Sequence, residues 1–397
     1  MKLKVGIALT TYFILILFAI APLLSVLISI VLVALSGKTK YLSIIVLALL
    51  LSLYLGSINA TKIPESDLLN FYSWLSLARS FTLTQYVVLF GKEPFYFLWI
   101  YLIGNFPGIN GALFVLVSTA VVYFIFFFCL ISLGRAINWT ENRVMGVMLL
   151  FAFFAPLFNA SAHLMREFMA GAFVLIYFVR CILGYKKNIW VLFLAALTHS
   201  TAAIFIPFAI ISGIRNLPRW ATYAFMVATY SAIYILAQTA TTTLAQIPFI
   251  GYVFIRLIDT GRDVYVLGLM PMIFAVVIGF GSLFLTKIVR FKIIPSTQAI
   301  SFSAIKEYSV SVFFLSVFIL LMYLHGDTMY PIRFLLYLYF LSGVLLVFLQ
   351  AVPMVRFATI AVSYSILPVY FFYNLSNGVW TYASLDHILF YPFILNF

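Results

Sequence analysis

The chain has 397 residues, of which 65% are hydrophobic, 19% aromatic and only 8% charged. This composition excludes an ordinary soluble domain and is typical of a polytopic membrane protein. The net charge of +13 does not indicate nucleic-acid binding, because a basic excess in a membrane protein usually collects in cytoplasmic loops. No basic run of nucleic-acid type occurs, so no nucleic-acid partner is expected.

Apolar runs long enough to span a bilayer recur along the whole chain. The first, residues 5–36, follows a basic start like that of a signal peptide but extends further, so we expect an uncleaved anchor folded as a helical pair. The remaining runs are 41–58, 110–133, 144–160, 166–183, 189–214, 220–238, 266–286, 305–324, 334–351 and 357–373. The chain is therefore predicted to be a single all-α transmembrane domain, 1–397, with about 11–13 transmembrane or re-entrant helices.

Short basic connectors predict the orientation of these helices. They are Lys38/Lys40, Arg135/Arg143, Lys186/Lys187, Lys287/Arg290/Lys292 and Arg356. The positive-inside rule puts them in the cytoplasm. Of the ten acidic residues, all except Glu141 and Glu307 then fall at the outer face. A face that combines acids, histidines and a minority of arginines indicates a functional site.

The segment 189–214 requires a break, because the basic residues on both sides of it are predicted to be cytoplasmic. We expect a helical hairpin or a re-entrant pair that turns near His199. The alternative is a single span that leaves Arg215 and Arg219 outside.

Two predicted outer loops are long enough to line a site. Residues 59–109 contain the amphipathic stretch SDLLNFYSWLSLARSF, which is typical of an interfacial helix at the outer, periplasmic face. Ser66 or Asp67 is a candidate N-cap for it. The run after Glu93 is apolar but short, which favours a re-entrant or interfacial helix. The second loop, 239–265, is also rich in apolar residues.

Known cofactor and metal motifs are missing from the sequence. There is no HExxH, DxD, P-loop or GxGxxG pattern, and no serine nucleophile motif of the GxSxG type. Cys129 and Cys181 lie inside apolar runs and are expected to be core residues. The sequence therefore predicts neither a metal nor a cofactor.

Three residues are candidates for a general base: Asp67, Glu93 and His199. Each also has a structural interpretation. Asp67 could cap a helix, and Glu93 precedes Pro94 as an acid does at a helix start. His199, deep in an apolar stretch, could bond two helices together. The sequence does not rank the three.

Three arginines at the outer boundary, Arg166, Arg256 and Arg333, are candidate phosphate ligands, because guanidinium groups bind phosphate bidentately. Arg166 could instead reach the interface or pair with an acid. His163 lies three residues before Arg166 and would share its face if the helix begins early.

Three further residues are candidates for binding the substrate. Tyr72 could stack on a sugar or belong to the interfacial aromatic belt. His163 and His325 are polar candidates for substrate binding, and His325 lies eight residues before Arg333. Asp386 and His387, near the end of the sequence, are expected to be solvated.

The order of several short motifs resembles the EpsG family of exopolysaccharide and O-antigen polymerases, the Wzy type. The matching residues are Asp67 and Tyr72, Glu93-Pro94 with Tyr96, Arg166 with Ala170, His199-Ser200, and Arg333 to Phe340. The similarity covers residues from about 60 to 340. Glu167 departs from the family, which more often has Gln after the arginine. Glu167 could orient Arg166 or neutralise it.

The resemblance implies a GT-C-like, metal-independent glycosyltransferase of the bacterial inner membrane, with its site facing the periplasm. It would transfer a growing glycan from undecaprenyl pyrophosphate onto a lipid-linked repeat unit. Arg166, Arg256 and Arg333 would bind the pyrophosphate, and a chain-length regulator and a flippase would be partners.

Two other functions remain open from the sequence. A membrane O-acyltransferase acting on glycans would use an intramembrane histidine, for which His199 is a candidate. A lipid-linked oligosaccharide flippase would need charges along a path through the bilayer. The charges collect at one face, which favours chemistry in one leaflet over transport.

Overall fold

The computed structural model describes residues 12–35, 41–65, 67–90, 93–213, 269–290, 300–324, 329–378 and 381–390, together with positions 224, 227, 228 and 231. These residues form helices and short connections, and the described ranges contain no strand. The prediction of an all-α fold is therefore confirmed.

The first half of the chain forms eight helices in the part that the structure describes. They are α1 over 12–20, α2 Pro22–Leu35, α3 Tyr41–Ala60, α4 Asp67–Ala78, α5 Leu83–Leu89, α6 Pro94–Gly104, α7 Gly111–Ala136 and α8 Glu141–Ala152. Local signals set several of these boundaries. Thr82 and Gln85 form a reciprocal capping box at α5, and the Asn110 side chain caps α7. Pro94 occupies the first turn of α6, where its missing N–H costs nothing.

The second half continues the helical pattern. It comprises α9 Ala155–His163, α10 Met165–Ile182, α11 Trp190–Thr198, a 3₁₀ turn Ser200–Ile204, α12 Phe205–Gly213, α13 Leu269–Ile288, α14 Phe302–Leu324, α15 Met329–Leu349, α16 Pro353–Ala361, a π turn Val362–Ile366, α17 Leu367–Asn377 and α18 Leu385–Phe390. The run 220–238 and the loop 239–265 lie almost wholly outside the described residues.

Six helices of the described part are long and apolar enough to cross a membrane. They are α3, α7, α13, α14, α15 and the continuous stretch from α16 to α17. The predicted run 144–160 forms α8 and α9, which meet at a 57° bend and together could make a seventh span. The chain is thus a multi-pass membrane protein.

The predicted break near His199 is confirmed. Helix α11 ends at Thr198, and His199 takes an extended conformation with φ −151° and ψ 128°. The chain then resumes as a 3₁₀ turn and α12. Arg215 and Arg219, which distinguish a hairpin from a single span, lie outside the described residues.

Helix α10 lies at the centre of the bundle. It packs against α7, α11 and α15, and it is buried along most of its length. Gly171 lets α15 approach closely, because a Cβ there would lie 2.7 Å from a ring carbon of Phe340. Small residues at such a contact allow helices in lipid to pack tightly. The first turn of α10 carries Arg166 and Glu167, so central packing fixes the position of both charges.

Side-chain contacts join connectors that the sequence assigns to one side. Lys187 pairs with Glu307, and Trp139 donates from Nε1 to the carbonyl of Val347 at 2.9 Å. Arg143 and Arg356 lie close enough to repel each other electrostatically. These contacts bring Lys187 to Glu307 and Arg143 close to Arg356, all in segments that the sequence predicts to be cytoplasmic.

The opposite end is closed by a contact between the end of α3 and the segment before α18. The backbone N–H of Ile63 donates to Thr381 at 3.0 Å. Lys62 is buried, and its ammonium lies 5.9 Å from the centre of the Tyr382 ring. Burial lowers the pKa of Lys62 to about 7, against a smaller opposing effect of Glu65.

Candidate functional site

Five ionisable side chains converge on one buried cluster, which we call the charged cluster: Glu93, Arg166, Glu167, His199 and Arg333. Four separate segments supply them. Glu93 is the residue just before α6, at its N-cap position. Arg166 and Glu167 lie in the first turn of α10. His199 lies in the break after α11, and Arg333 lies in the first part of α15. The four segments are distant in sequence, but their five residues lie close together because the four helix ends converge at one place.

Glu93 and Arg166 form the first ion pair of the charged cluster. Arg166 Nη1 donates to Glu93 Oε2 at 2.7 Å. The Glu93 side chain makes no hydrogen bond to its own helix start, although an acid at that position is also favoured by the helix dipole. Its second oxygen, Oε1, is buried and accepts no hydrogen bond from the described residues. A carboxylate with one oxygen held and the other available is arranged to accept a proton.

Glu167 connects the remaining members. Its Oε1 lies 2.8 Å from Nε2 of His199 and 3.4 Å from Nε of Arg333. The same His199 nitrogen lies 3.6 Å from Oε1 of Glu93. The imidazole therefore stands between two carboxylates, one supplied by α6 and the other by α10.

The other nitrogen of His199 faces Thr201. The backbone N–H of Thr201 donates to His199 Nδ1 at 3.2 Å, and the Thr201 hydroxyl lies 3.0 Å from the same atom. That hydroxyl also lies 2.9 Å from the hydroxyl of Tyr337. Tyr337 is one helical turn after Arg333 on α15 and is fully buried, so α15 reaches both sides of the imidazole.

Aromatic side chains cover the charged cluster. The guanidinium carbon of Arg166 lies 5.8 Å from the centre of the Trp74 ring, within the range of a cation–π contact. Trp74 in turn packs edge-on against Phe97 at 5.1 Å. Tyr96 is fully buried and interacts electrostatically with Arg166, Glu93 and Glu167. Helices α4 and α6 therefore provide an apolar, aromatic wall against the charges.

Burial and charge balance together define the electrostatics of the site. The side chains of Glu93 and Glu167 are 0% and 1% exposed, and those of Arg166 and Arg333 are 11% and 10% exposed. Two carboxylates face two guanidinium groups, so the charged cluster is neutral when the imidazole is neutral. Such compensation is needed because an unpaired buried charge costs several kcal/mol. An incoming anion must therefore compete with the carboxylates for the arginines.

The structure brings together four of the predicted site residues: Glu93, Arg166, His199 and Arg333. Asp67 is the first residue of α4 and is half-buried. The ion pairs among the described residues do not include it.

Tyr72 lies over Gly111 at the start of α7, where a Cβ would meet its ring at 2.5 Å. It is half-buried in this contact between α4 and α7. Arg256 and His325 lie outside the described residues.

The proposed shared face of His163 and Arg166 is wrong. His163 ends α9 and Arg166 belongs to α10. Leu164 between the two helices has φ −105° and ψ 46°, which is not helical, so the i, i+3 spacing does not apply. His163 is buried, but the two side chains do not follow one helical surface.

Sequence reasoning left Glu167, Thr201 and Tyr337 out of the site. The sequence leaves open whether Glu167 orients or neutralises Arg166, and on a helix it points about 100° away from Arg166. That direction is the one that meets His199 and Arg333, whereas Arg166 pairs with Glu93. The spacing of Arg333 and Tyr337 on one helical face was a signal that could have identified Tyr337.

Comparison of the chain with protein-family models, curated proteins and solved structures found no match. The fold itself defines the class: a multi-pass, all-α membrane protein. Its described part gathers acids, arginines and a histidine at one end of the bundle.

Proposed function

We propose that this protein is a polysaccharide polymerase of the O-antigen type. It would transfer a growing glycan from undecaprenyl pyrophosphate onto a lipid-linked repeat unit, at the periplasmic face of a bacterial inner membrane. The observation that carries the proposal is the charged cluster, which combines a carboxylate with an available oxygen and two arginines. The motif order shared with the EpsG family supports it.

Glu93 is the general base in this proposal. Its Oε1 takes the proton of the acceptor hydroxyl as the acceptor oxygen bonds to the anomeric carbon of the donor sugar. The bond between that carbon and the pyrophosphate oxygen breaks, and the pyrophosphate keeps the electron pair. The Glu93 side chain is 0% exposed, so it reaches an acceptor hydroxyl only when neighbouring side chains move aside.

The arginines stabilise the leaving group. Arg166 is bound to Glu93, and Arg333 lies beside Glu167. An incoming pyrophosphate therefore competes with the carboxylates, and when it binds Arg166 it frees Glu93 for proton transfer. Preorganised donors of this kind contribute on the order of 10²–10³ in rate each. Arg256 would be a third ligand, and a chain-length regulator and a flippase would be partners.

The test is a reconstituted reaction with purified protein in liposomes and its lipid-linked repeat unit. The parent protein should produce a ladder of longer lipid-linked glycans. Glu93→Gln should lower the rate by about 10²–10⁴, the usual contribution of a general base. Arg166→Ala should shorten or abolish the chains while the protein still inserts. Asp67→Asn is the matched control, because it makes the same chemical change at an acid outside the charged cluster, and it should keep the ladder.

The same assay separates the competing functions. Absence of a ladder from the parent protein with competent substrate would reject the polymerase. Transfer of an acyl group without ladders would instead support an O-acyltransferase, and movement of intact lipid-linked oligosaccharide between leaflets would support a flippase. A normal ladder from Glu93→Gln would remove Glu93 from the base role but leave the polymerase standing.

A further inference from the structure

The imidazole of His199 has polar neighbours at both nitrogens. Nδ1 faces Thr201, while Nε2 faces Glu167 and Glu93. The ring is 1% exposed, so these contacts define its surroundings. Which nitrogen carries the proton decides whether His199 can act as a base or only as a donor.

The backbone of Thr201 identifies the protonated nitrogen. A backbone N–H can only donate, and it points at His199 Nδ1 at 3.2 Å. Nδ1 must therefore present its lone pair. In a neutral imidazole the proton then lies on Nε2, the nitrogen that is 2.8 Å from Glu167 Oε1 and 3.6 Å from Glu93 Oε1.

A hydrogen-bonded chain from α15 is compatible with this tautomer. With Nδ1 unprotonated, the Thr201 hydroxyl would donate to Nδ1 and the Tyr337 hydroxyl would donate to Thr201 Oγ1, over 3.0 and 2.9 Å. A proton on Nδ1 would reverse both hydroxyls and would also face the backbone N–H. The charged groups around the ring are Glu93 from α6, Arg166 and Glu167 from α10, and Arg333 from α15. The buried phenol of Tyr96 completes this set.

We propose that Thr201 and Tyr337 are positioning residues that hold His199 in the tautomer protonated at Nε2. His199 then serves as a hydrogen-bond donor between Glu167 and Glu93. It fixes the orientation of the two carboxylates and does not remove the substrate proton. The tautomer follows from the contacts alone, while its consequence for catalysis rests on the proposed polymerase function.

The tautomer can be measured without any activity. The chain has four histidines, so protein labelled with ¹⁵N-histidine gives a small set of NMR signals, and His199→Gln assigns the signal of interest. The parent protein and Thr201→Ser should show Nε2–H with an unprotonated Nδ1. Thr201→Val and Tyr337→Phe each remove a hydroxyl but keep the backbone N–H of residue 201, so they should show a minor Nδ1–H form beside the major Nε2–H form. Nδ1–H in the parent, or unchanged signals in both disrupted variants, would overturn the proposal.

Activity provides the second readout. Glutamine can present an N–H donor near the position of Nε2, so His199→Gln should lose less than about tenfold in polymerisation rate, whereas loss of a general base costs about 10²–10⁴. His199→Ala, which lacks a donor, should lose more than His199→Gln. A severe and equal loss in both variants would contradict the donor role. A parent protein with the Nε2–H signal but no polymerisation would reject the proposed function and leave the tautomer intact.

Discussion

At the scale of the residue, the charged cluster shows why a membrane protein places acids and arginines together. Glu93 lies 73 positions before Arg166, yet the two side chains share a hydrogen bond of 2.7 Å. Neither charge could remain ionised alone at this depth without a large cost. The pairing therefore compensates both buried charges, and Oε1 of Glu93 lies outside the hydrogen bond to Arg166.

A double-mutant cycle on Glu93 and Arg166 tests this pairing. Arg166→Met should destabilise the protein by about 3–5 kcal/mol, because it leaves the Glu93 carboxylate buried without its donor. Glu93→Gln should also destabilise it, because Arg166 then loses the carboxylate to which it donates a hydrogen bond. The double variant should cost clearly less than the sum of the two singles. The measurement is thermal unfolding in detergent.

Lys186→Met provides the control for that cycle, because Lys186 is exposed and its loss should change the melting temperature little. Additive effects of the two single variants would mean that Glu93 and Arg166 do not stabilise one another.

At the scale of the element, close helix contacts decide which helix ends can meet. Helix α3 packs along α7, and Gly56 makes the approach possible. A Cβ at Gly56 would lie 2.6 Å from the carbonyl oxygen of Leu116. Because that oxygen belongs to the backbone of α7, it cannot move aside as a flexible side chain could. The α3–α7 contact in turn supports Asn59, whose amide donates to Ser161 on α9.

Two glycines in helices provide a matched comparison. Gly56→Ala should destabilise the protein by about 1–3 kcal/mol, because the added methyl group forces α3 and α7 apart. Gly146→Ala should be neutral or slightly stabilising, because the nearest atom to its Cβ lies 3.8 Å away and alanine favours a helix. Thermal unfolding of the two variants checks this difference. Equal melting temperatures would show that the α3–α7 approach is not limiting.

At the scale of the whole molecule, the two ends of the bundle differ in chemistry. One end holds the Lys187–Glu307 pair, together with Arg143 and Arg356. The other holds the charged cluster under the aromatic wall of α4 and α6. Helix α10 joins the two, since its first turn carries Arg166 and its last turn carries Arg180.

Cysteine labelling tests this separation. Ser80 and Lys186 are exposed near opposite ends, while the native Cys129 and Cys181 are buried and should not react. Ser80→Cys should react with an impermeant maleimide in intact spheroplasts. Lys186→Cys should react only after the membrane is permeabilised. Reaction of both positions from the same side would contradict the predicted topology, and the parent protein controls for background labelling.

Local patterns predicted a large part of the architecture. The membrane class, the helix starts at Pro94 and Gly111, and the break at His199 all follow from residues close together in sequence. Apolar length, proline position and charge asymmetry are local properties, so they can be evaluated without knowing which helices touch. For the same reason, Glu93, Arg166, His199 and Arg333 could be selected as boundary charges, but the three candidate bases could not be ranked.

The contacts among these residues were decided only by the tertiary structure. Helix geometry gives the direction in which Glu167 points from α10. Which residues Glu167 contacts depended on where α11 breaks and on how α15 crosses α10. The non-helical Leu164 likewise separated His163 from Arg166. By itself the sequence determined a helical membrane protein, because the bilayer selects segment length, and it predicted that most of the acids lie at one face. Tertiary packing alone decided which acid meets which arginine, because buried charges require compensation from partners distant in the chain.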